Sequence, residues 1–498
     1  MINSKIIATI TQIAEKNGQE VFLVGGYIRD MILGIASNDY DFVVSGDALA
    51  FSQAVATAIG GRLIIMDQET QTTRIICREA FSQQSAGSKR HEAVNIPNFP
   101  FSQPSAFSLQ PSTFLDISSL KGTDIIHDLQ LRDITINSLA INLNQPDSLI
   151  DPLNGLDDLE QKRIQIIGRQ NIIDDPLRLI RAVRFSAQLQ FSFTPESIIS
   201  LKELSYFLST VAVERIVYEL LLIMSVEYAY PYIVLLDNLG LLKEIIPEIM
   251  AAKDVPQNEF HHLDVWNHLL QTLFHLEDMC KRLRELFPKW YHHIQEYLQE
   301  EISGTSRYCL LKLASILHDI GKPACASIEN GRIRFLGHDI KGGDIMEVIG
   351  IRLKLSARQT EMLKCMVTHH MRPGHLVEAE KITDRAVYRF FKATQQEGIS
   401  VLLLSLADRY ATMGPASSAE ERKKHYEVVC YFLEKLYSHQ PSANPPRLIN
   451  GHDLMEYLCL PPSPLIGRLL QAVEEGIAEG RITDKMAALK YARDHENS

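Results

Sequence analysis

The sequence has no run of 18 uninterrupted apolar residues, so no segment is long enough to cross a membrane as a single helix. It begins Met-Ile-Asn-Ser-Lys and passes directly into an amphipathic pattern, which predicts neither an export signal nor a membrane anchor. Its seven cysteines are scattered, odd in number and without a C-x-x-C pair. That pattern favours free thiols in a reducing compartment, and we therefore predict a cytoplasmic protein.

An excess of positive charge is also missing. Lys and Arg total 50 against 61 Asp and Glu, which gives a formal net charge of −11. No global basic surface therefore attracts nucleic acid, and any RNA site must be a local patch. The hydrophobic fraction of 46% and the charged fraction of 22% exclude a largely disordered chain. A length of 498 residues predicts about three or four compact units.

Two periodicities divide the chain. Residues 1–190 contain short apolar runs rich in branched side chains, separated by glycines and helical segments, which is typical of an α/β or α+β domain built on one sheet. From Asp175 onward almost every segment has the apolar spacing of a helix, which predicts an all-helical remainder. Between residues 81 and 112, 15 of 32 residues are Ser, Gln or Pro, and we predict a mobile insertion there.

The first motif with chemical meaning is Val-Gly25-Gly26-Tyr-Ile-Arg29, where a predicted strand ends in two glycines and a helix begins. Backbone amides and a guanidinium at one helix N-terminus suit a triphosphate, whereas a tight turn with a solvated Arg is the alternative. Asp39 and Asp41 follow in a predicted strand, where residues i and i+2 share a face. Paired carboxylates beside a phosphate cradle can hold Mg²⁺, and the two motifs together favour a metal site.

A predicted helix further along the chain gathers three arginines. Arg178, Arg181 and Arg184 fall within an arc of about 120° on one helix face, with Asp175 one turn before Arg178. A carboxylate acceptor beside a guanidinium donor matches base edges that cytosine and adenine present, and that uracil and guanine do not. The pair can therefore select C and A without a nucleic-acid template. A salt-bridged surface helix is the alternative.

Three further segments complete a series: Leu131-Arg132-Asp133-Ile-Thr-Ile-Asn137, Asp151-Pro-x-x-Gly155-x-x-Asp158 and Asp174-Asp175-Pro176-Leu-Arg178. Together with the preceding motifs they resemble, in order and spacing, the class II CCA-adding tRNA nucleotidyltransferase and poly(A) polymerase family. The resemblance implies an α+β protein, with an N-terminal nucleotidyltransferase domain on a mixed sheet followed by all-helical domains. It also implies transfer of C and A residues from CTP and ATP to the 3′ end of a tRNA or other RNA.

The resemblance assigns roles to individual residues. It implies that Asp39 and Asp41 are catalytic and hold Mg²⁺. It implies that the nucleotide is bound by Gly25, Gly26, Arg29, Arg132, Asp133, Asn137, Asp175, Arg178, Arg181 and Arg184. The sequence departs from the family at Leu131, where a second Arg is common, at Asp174, where Glu is usual, and in the insertion, which falls where the family carries a flexible loop linked to the switch from C to A addition. CC-adding, A-adding and poly(A)-synthesising relatives therefore stay open as alternatives.

Eleven of the seventeen histidines lie between His261 and His375. This region resembles an HD domain, a helical metal-dependent phosphohydrolase fold. The resemblance implies one metal site and candidates for a second, formed respectively by His268, His318, Asp319 and Asp408, and by His338 with His369 or His370. Imidazole and carboxylate ligands suit Mn²⁺, Fe²⁺, Ni²⁺ or Zn²⁺. The alternatives are a helical scaffold with little activity, or an HD phosphohydrolase or RNA-binding regulator with a silent transferase core.

We predict four regions along the chain. They are a nucleotidyltransferase head at 1–170, a helical nucleotide- and RNA-binding neck at 171–250, an HD domain at 251–415 and a C-terminal helical tail at 416–498. The sequence does not indicate an oligomeric state.

Overall fold

A computed structural model describes residues 4–77, 113–146, 148–415, 417–438, 443 and 445–496. The predicted insertion at 81–112 lies outside the described residues. The chain divides into two compact units, Met1–Val211 and Ala212–Ser498. The predicted boundaries at residues 170, 250 and 415 fall inside these units and stay predictions. Among the described residues, none of the helices has the length and apolar character needed to cross a membrane.

The first unit is built on a seven-stranded sheet. Its strand order is β3-β4-β5-β2-β1-β6-β7, and β2 and β5 are parallel while the other neighbours are antiparallel. The predicted mixed sheet is therefore confirmed. The strands of this unit are β1 (Val21–Val24), β2 (Asp39–Val44), β3 (Arg62–Asp67), β4 (Thr72–Cys77), β5 (Thr113–Ser119), β6 (Ala140–Asn142), β7 (Leu149–Ile150) and the separate short pair β8 (Arg163–Ile164) and β9 (Ser192–Phe193).

Eight helices accompany the strands within this unit's described residues. They are α1 (Ser4–Asn17), α2 (Gly26–Ile32), α3 (Ala48–Ile59), α4 (Ile125–Gln130), α5 (Gly155–Glu160), α6 (Arg169–Asp174), α7 (Arg178–Leu189) and α8 (Pro195–Leu204), with 3₁₀ turns at Thr135–Asn137 and Ser205–Thr210. Helix α3 shows why such segments end where they do. Asp47 accepts a hydrogen bond from the amide of Ala50 at its start, and Gly60 adopts a left-handed conformation at its end.

Strand β2 has two different faces. Tyr40 and Phe42 point into the core, and the ring of Tyr40 stacks on that of Tyr27 with centroids 4.4 Å apart. On the opposite face, Val43 is covered by Leu129 of α4 and its neighbours. Asp39 and Asp41 share that face. The face of the sheet that packs against α4 therefore also carries two carboxylates, at the start of β2.

The second unit is mainly helical. Its helices are α9 (Val213–Met224), α10 (Tyr230–Asn238), α11 (Leu242–Ile245), α12 (Val265–Lys281), α13 (Leu283–Leu286), α14 (Tyr291–Gln299), α15 (Arg307–Ser315), α16 (Lys322–Cys325), α17 (His338–Arg352), α18 (Ala357–His369), α19 (Asp384–Thr394), α20 (Gly398–Ala411), α21 (Ala419–Tyr437), α22 (Gly451–Leu458), α23 (Pro464–Ala478) and α24 (Lys485–Asp494), with 3₁₀ turns at Pro247–Ala252, Gly374–Leu376 and Gln395–Glu397. Helix α12 packs on α20, and α17 packs on α18.

The expectation that every segment after Asp175 is helical is wrong in detail. Besides β9, two hairpins interrupt the helices: β10 (Glu301–Ile302) with β11 (Thr305–Ser306), and β12 (Ser327–Glu329) with β13 (Arg332–Arg334). Asn330 and Gly331 both have positive φ angles and join β12 to β13. An Asn-Gly pair supplies the backbone twist that a two-residue hairpin needs, so this signal was present in the sequence.

Candidate functional site

Three carboxylates lie close together on one face of the sheet. Asp41 of β2 lies directly opposite Asp116 of the parallel strand β5, and Asp39 precedes Asp41 on the same face of β2. All three line a cavity of about 520 Å³. Asp116 was missed by the sequence reasoning. It is a single acidic residue within an apolar strand, and only the pairing of β2 with β5 brings it to Asp41.

The electrostatic environment of these carboxylates favours a bound cation. Burial, then the neighbouring Asp116, raise the pKa of Asp39. Burial raises the pKa of Asp41 to about 6, although the guanidinium of Arg132 acts in the opposite direction. Arg74 of β4 donates two hydrogen bonds to Asp116, with N to O distances of 2.8 and 2.7 Å. Clustered carboxylate oxygens are the donor set that Mg²⁺ prefers, so these residues fit a divalent metal.

The double glycine lets other side chains approach the backbone at the start of α2. Gly25 has a φ angle of 73°. A Cβ atom at this position would lie 2.9 Å from Nη1 of Arg132 and 3.4 Å from Oδ2 of Asp41. Any side chain here would displace the end of Arg132, and the positive φ angle would also strain its backbone. Gly26 begins the helix, as the sequence predicted.

Arg29 lies in this helix, but its guanidinium is already engaged. It donates one hydrogen bond to Oδ1 of Asn137 at 2.7 Å and two to Oδ1 of Asp30 at 2.8 and 2.7 Å. Asn137 in turn donates to Asp133 at 3.3 Å. Both Arg29 and Asn137 line the carboxylate cavity, and they brace each other within it.

The buried carboxylate of Asp133 holds a second arginine, Arg181. Burial alone would raise the pKa of Asp133, but Arg181 and its other partners outweigh that effect and lower it to about 2. Arg181 donates to Oδ2 of Asp133 through Nε at 3.1 Å and Nη2 at 2.8 Å. The predicted nucleotide residues Asp133 and Asn137 are thus brought into the cavity wall as supports for arginines.

Asp175 and Arg178, the residues predicted to select the base, differ from the predicted arrangement. The sequence reading placed Asp175 on the helix that carries Arg178, whereas α7 begins at Arg178 and Asp175 has an extended backbone with φ −140° and ψ 89°. Pro176 explains this difference, because a residue before proline is disfavoured in the helical conformation. Asp175 and Arg178 nevertheless line the same cavity, and the carbonyl of Asp175 accepts a hydrogen bond from the amide of Arg178 at 3.1 Å.

The arginine face of α7 also gathers round an aromatic ring. Arg29, Arg181 and Arg184 lie 5.2, 5.4 and 4.1 Å from the ring centroid of the buried Phe185. Arg184 also donates a hydrogen bond to Gln188 at 2.8 Å. The electron-rich face of an aromatic ring attracts cations, so the ring of Phe185 helps to hold these three guanidinium groups near the carboxylates.

A second group of polar residues forms a centre in the helical unit. The structure brings together all six predicted HD residues: His268, His318, Asp319, His338, His370 and Asp408. They form three overlapping triads whose candidate ligand atoms lie within 4.8 Å of one another. His268 Nε2 is 2.9 Å from Asp408 Oδ1, and His338 Nε2 is 3.1 Å from Asp319 Oδ1. His369, the alternative to His370, does not belong to these triads.

Three of these histidines are held in the same way. The Nδ1 atoms of His318, His338 and His370 lie 2.9, 2.7 and 2.7 Å from backbone carbonyl oxygens three residues earlier. Their Nε2 atoms are buried and make no hydrogen bond of regular geometry within the part of the chain that the structure describes. An Nδ1 proton held by a carbonyl leaves the Nε2 lone pair free for a metal. The centre therefore fits a divalent cation.

The charges around this centre are strongly coupled. Burial alone would lower the pKa of His318, but Asp319 and Asp408 raise it to about 10. Lys322 lies 2.5 Å from Asp319, and with His318 it holds the pKa of that carboxyl well below its usual range against the effect of burial. A cavity of about 830 Å³ adjoins the centre, and its lining combines apolar side chains with charges of both signs, among them Arg334 and Glu378.

Comparison with known proteins identifies the domains of the chain. The chain matches the family models for the poly A polymerase head domain at residues 21–165, the RNA and SrmB-binding site of polymerase A at 190–253, the HD domain at 265–413 and tRNA nucleotidyltransferase domain 2 at 352–492. A similar solved structure is a Thermotoga maritima CCA-adding enzyme complexed with tRNA, with a TM-score of 0.61, 19% identity and coverage of 99% of this chain and 95% of that one. Another is a CCA-adding enzyme complexed with ATP, with a TM-score of 0.64, 18% identity and coverage of 99% and 95%. These two likenesses concern the fold.

Two curated relatives span nearly the whole chain. A CC-adding tRNA nucleotidyltransferase of Geobacter sulfurreducens is 26% identical over 98% of this chain and 95% of the relative. An A-adding tRNA nucleotidyltransferase of Deinococcus radiodurans is 30% identical over 95% of this chain and 94% of the relative. A carboxylate cavity faced by arginines, the matching head domain and this full-length similarity lead to one conclusion: the chain belongs to the tRNA nucleotidyltransferase family.

Proposed function

We propose that this protein transfers C and A residues from CTP and ATP to the 3′ hydroxyl of tRNA without a nucleic-acid template. The observation that carries the proposal is one cavity that holds Asp39, Asp41 and Asp116 together with Asp175 and the arginine face of α7. Transfer chemistry and base selection require these two sets of groups within reach of one bound nucleotide.

In this proposal Asp39 and Asp41, joined by Asp116, hold Mg²⁺. When bound, Mg²⁺ supplies polarisation of the attacking hydroxyl and charge neutralisation on the leaving pyrophosphate. Arg132 and Arg29, which line the same cavity, bind and orient the triphosphate.

Base choice belongs to Asp175 and Arg178. The carboxylate of Asp175 accepts from the exocyclic amine of cytosine or adenine, and the guanidinium of Arg178 donates to the adjacent ring nitrogen. Asp133 supports this face by holding Arg181. A cytoplasmic location belongs to the same proposal, because the seven cysteines are unpaired and fit a reducing compartment.

The experiment that tests the activity uses three tRNA substrates, ending at the discriminator base, at C and at CC. The purified protein receives each nucleoside triphosphate singly and then all together, and the products are sequenced. Addition of CCA to the first substrate supports the proposal. Addition confined to CC, confined to A, or extended to poly(A) replaces it with the corresponding relative, and no addition to any substrate supports a silent transferase core.

A second activity is favoured by the centre in the helical unit. We propose that His268, His318, Asp319 and Asp408 hold a transition metal such as Mn²⁺, Ni²⁺, Fe²⁺ or Zn²⁺, and that His338 and His370 can hold a second one. The buried Nε2 atoms that converge on one point, and the cavity beside them, support a phosphohydrolase site. Metal analysis of the purified protein and hydrolysis of a 2′,3′-cyclic phosphate test this proposal, and a metal-free, inactive protein would leave a helical scaffold.

A further inference from the structure

The side chain of Arg132 is held over the bare backbone of Gly25. Its Nη1 atom and Asp41 Oδ2 both approach the point where a Gly25 side chain would begin, at 2.9 and 3.4 Å. This places one edge of the guanidinium beside the carboxylate cluster. The remaining nitrogens of Arg132 face a residue that neither the motifs nor the proposed chemistry has used.

That residue is Asp128, one helical turn before Arg132. Its carboxylate is buried, with 4% of the residue exposed. Oδ2 of Asp128 accepts hydrogen bonds from Nη2 of Arg132 at 3.1 Å and from Nε at 3.3 Å. Oδ1 accepts a hydrogen bond from the backbone amide of Lys121 at 3.1 Å. One oxygen therefore fixes the carboxylate to the backbone, while the other holds the guanidinium.

The main chain of Arg132 is fixed independently. Its carbonyl oxygen accepts hydrogen bonds from Nδ2 of Asn171 at 2.8 Å and from Nη1 of Arg178 at 3.1 Å. With the backbone secured by these bonds, the orientation of the long side chain is the freedom that remains. Because the guanidinium is planar, holding its Nε and Nη2 atoms also fixes the direction of Nη1. The flexible ammonium of a lysine cannot reproduce this.

We propose that Asp128 is a positioning residue for nucleotide transfer, acting through Arg132 by aiming its Nη1 edge at the nucleotide phosphates beside Asp41. The inference rests on the proposed nucleotide-binding role of Arg132. Asp128 lines the same cavity, but its carboxylate is taken up by Arg132 and the amide of Lys121, and in this scheme it acts on the nucleotide only through Arg132. Its effect is preorganisation, because the guanidinium does not have to be ordered when the nucleotide binds.

The test compares steady-state nucleotide addition by Asp128→Asn, Arg132→Ala, Arg132→Lys and the Asp128→Asn, Arg132→Ala double variant. Asn keeps an oxygen for the amide of Lys121 but loses the charge that holds Arg132. We expect Asp128→Asn to raise the nucleotide KM about tenfold with a smaller change in kcat, since partners in one ion-pair network couple strongly. Arg132→Ala should raise KM at least as much, and the double variant should equal Arg132→Ala.

Asp158→Asn is the matched control. Asp158 is also buried, and it accepts hydrogen bonds from Nε of Arg163 at 3.0 Å and from the hydroxyl of Thr135 at 2.5 Å; neither Asp158 nor these two partners line the cavity. Its substitution should lower thermal stability but leave the nucleotide KM unchanged. Arg132→Lys keeps the carboxylate and tests the same idea without altering Asp128. It should raise KM, because a single ammonium cannot reproduce the fork.

The outcomes separate the two levels of the argument. A wild-type KM for Arg132→Ala would show that Arg132 does not bind the nucleotide and would overturn that part of the proposed function. A raised KM for Arg132→Ala combined with a wild-type KM for Asp128→Asn or Arg132→Lys would overturn the positioning role alone. The same follows if the double variant is worse than Arg132→Ala, or if Asp158→Asn raises KM equally.

Discussion

Substituting Asp41 with Asn should abolish nucleotide transfer and, in metal-free buffer, stabilise the first unit. The two effects have one origin. Asp41 is held between other carboxylates, and burial raises its pKa to about 6 from an ordinary value of 3.8. A carboxyl group with a raised pKa is harder to ionise in the folded protein than in the unfolded chain. The metal-free fold therefore loses stability as the pH rises from about 4 to about 6, and the full cost persists at pH 7.5.

The size of this cost follows from the pKa shift. Two pH units correspond to about 3 kcal/mol, and a neutral Asn of the same shape removes that cost. Mg²⁺ at a hundred times its Kd would contribute about 2.7 kcal/mol to the wild type, which roughly offsets the penalty. We therefore expect Asp41→Asn to be more stable than wild type in EDTA and to gain little from Mg²⁺. Loss of the metal ligand should reduce transfer by several orders of magnitude.

The assay must report on the sheet itself. Both tryptophans, Trp266 and Trp290, lie in the second unit, so their fluorescence does not monitor β2. Hydrogen exchange of the β1 and β2 amides, measured in EDTA and in Mg²⁺, reports directly on this region. Faster exchange in Asp41→Asn than in wild type in EDTA would refute the electrostatic argument. Near-normal nucleotide incorporation by the folded variant would refute the metal-site proposal.

Three further predictions concern residues at the two sites. Asp116→Asn should lower nucleotide incorporation while leaving the sheet folded, as checked by kinetics and circular dichroism; unchanged kinetics would exclude Asp116 from the metal site. Asp175→Ala should lose efficiency and discrimination together, because a paired base contact is worth about 1–3 kcal/mol; single-nucleotide assays that still reject UTP and GTP as wild type does would place base choice elsewhere. Asp319→Ala and His370→Ala should lower the bound transition metal without stopping nucleotide addition, whereas the adjacent His369→Ala should retain the metal. Metal analysis checks this last expectation, and retained metal in Asp319→Ala or lost transfer in a folded variant would contradict it.

The local geometry of the transferase motifs could be predicted from the sequence. Strand periodicity places Asp39 and Asp41 on one face, and the structure has them there. Helical periodicity likewise relates the arginines of α7. Both patterns depend only on neighbours along the chain, which is why composition and spacing are sufficient to read them.

Asp116 shows why the rest could not be predicted. Its strand reads as an ordinary apolar segment, and its position beside Asp41 depends on the pairing of β5 with β2 across a long sequence separation. Asp175 was misplaced for a different reason. The spacing to Arg178 predicts that the helix includes Asp175, but Pro176 disfavours the helical conformation of the residue before it, and this steric rule is itself local.

The choice between His369 and His370 also needed three dimensions. The two residues are adjacent, and both are chemically able to bind a metal. His370 follows the end of α18 and lies fully buried, with its Nδ1 beside the carbonyl of Val367. Burial distinguishes them, because His369 is only half-buried, and residue spacing alone does not contain that difference.

The pairing of β4 with β5 has a consequence for how this enzyme can vary. Strand β4 ends at Cys77 and strand β5 begins at Thr113, and these two residues are paired in the antiparallel ladder. The register between β4 and β5 is fixed by the pairing of the strand residues themselves. Loop closure costs only about 0.6 kcal/mol for each doubling of connector length. We therefore expect changes in the length and composition of residues 78–112 to leave the pairing of β4 with β5, and the position of Asp116 beside Asp41, unchanged.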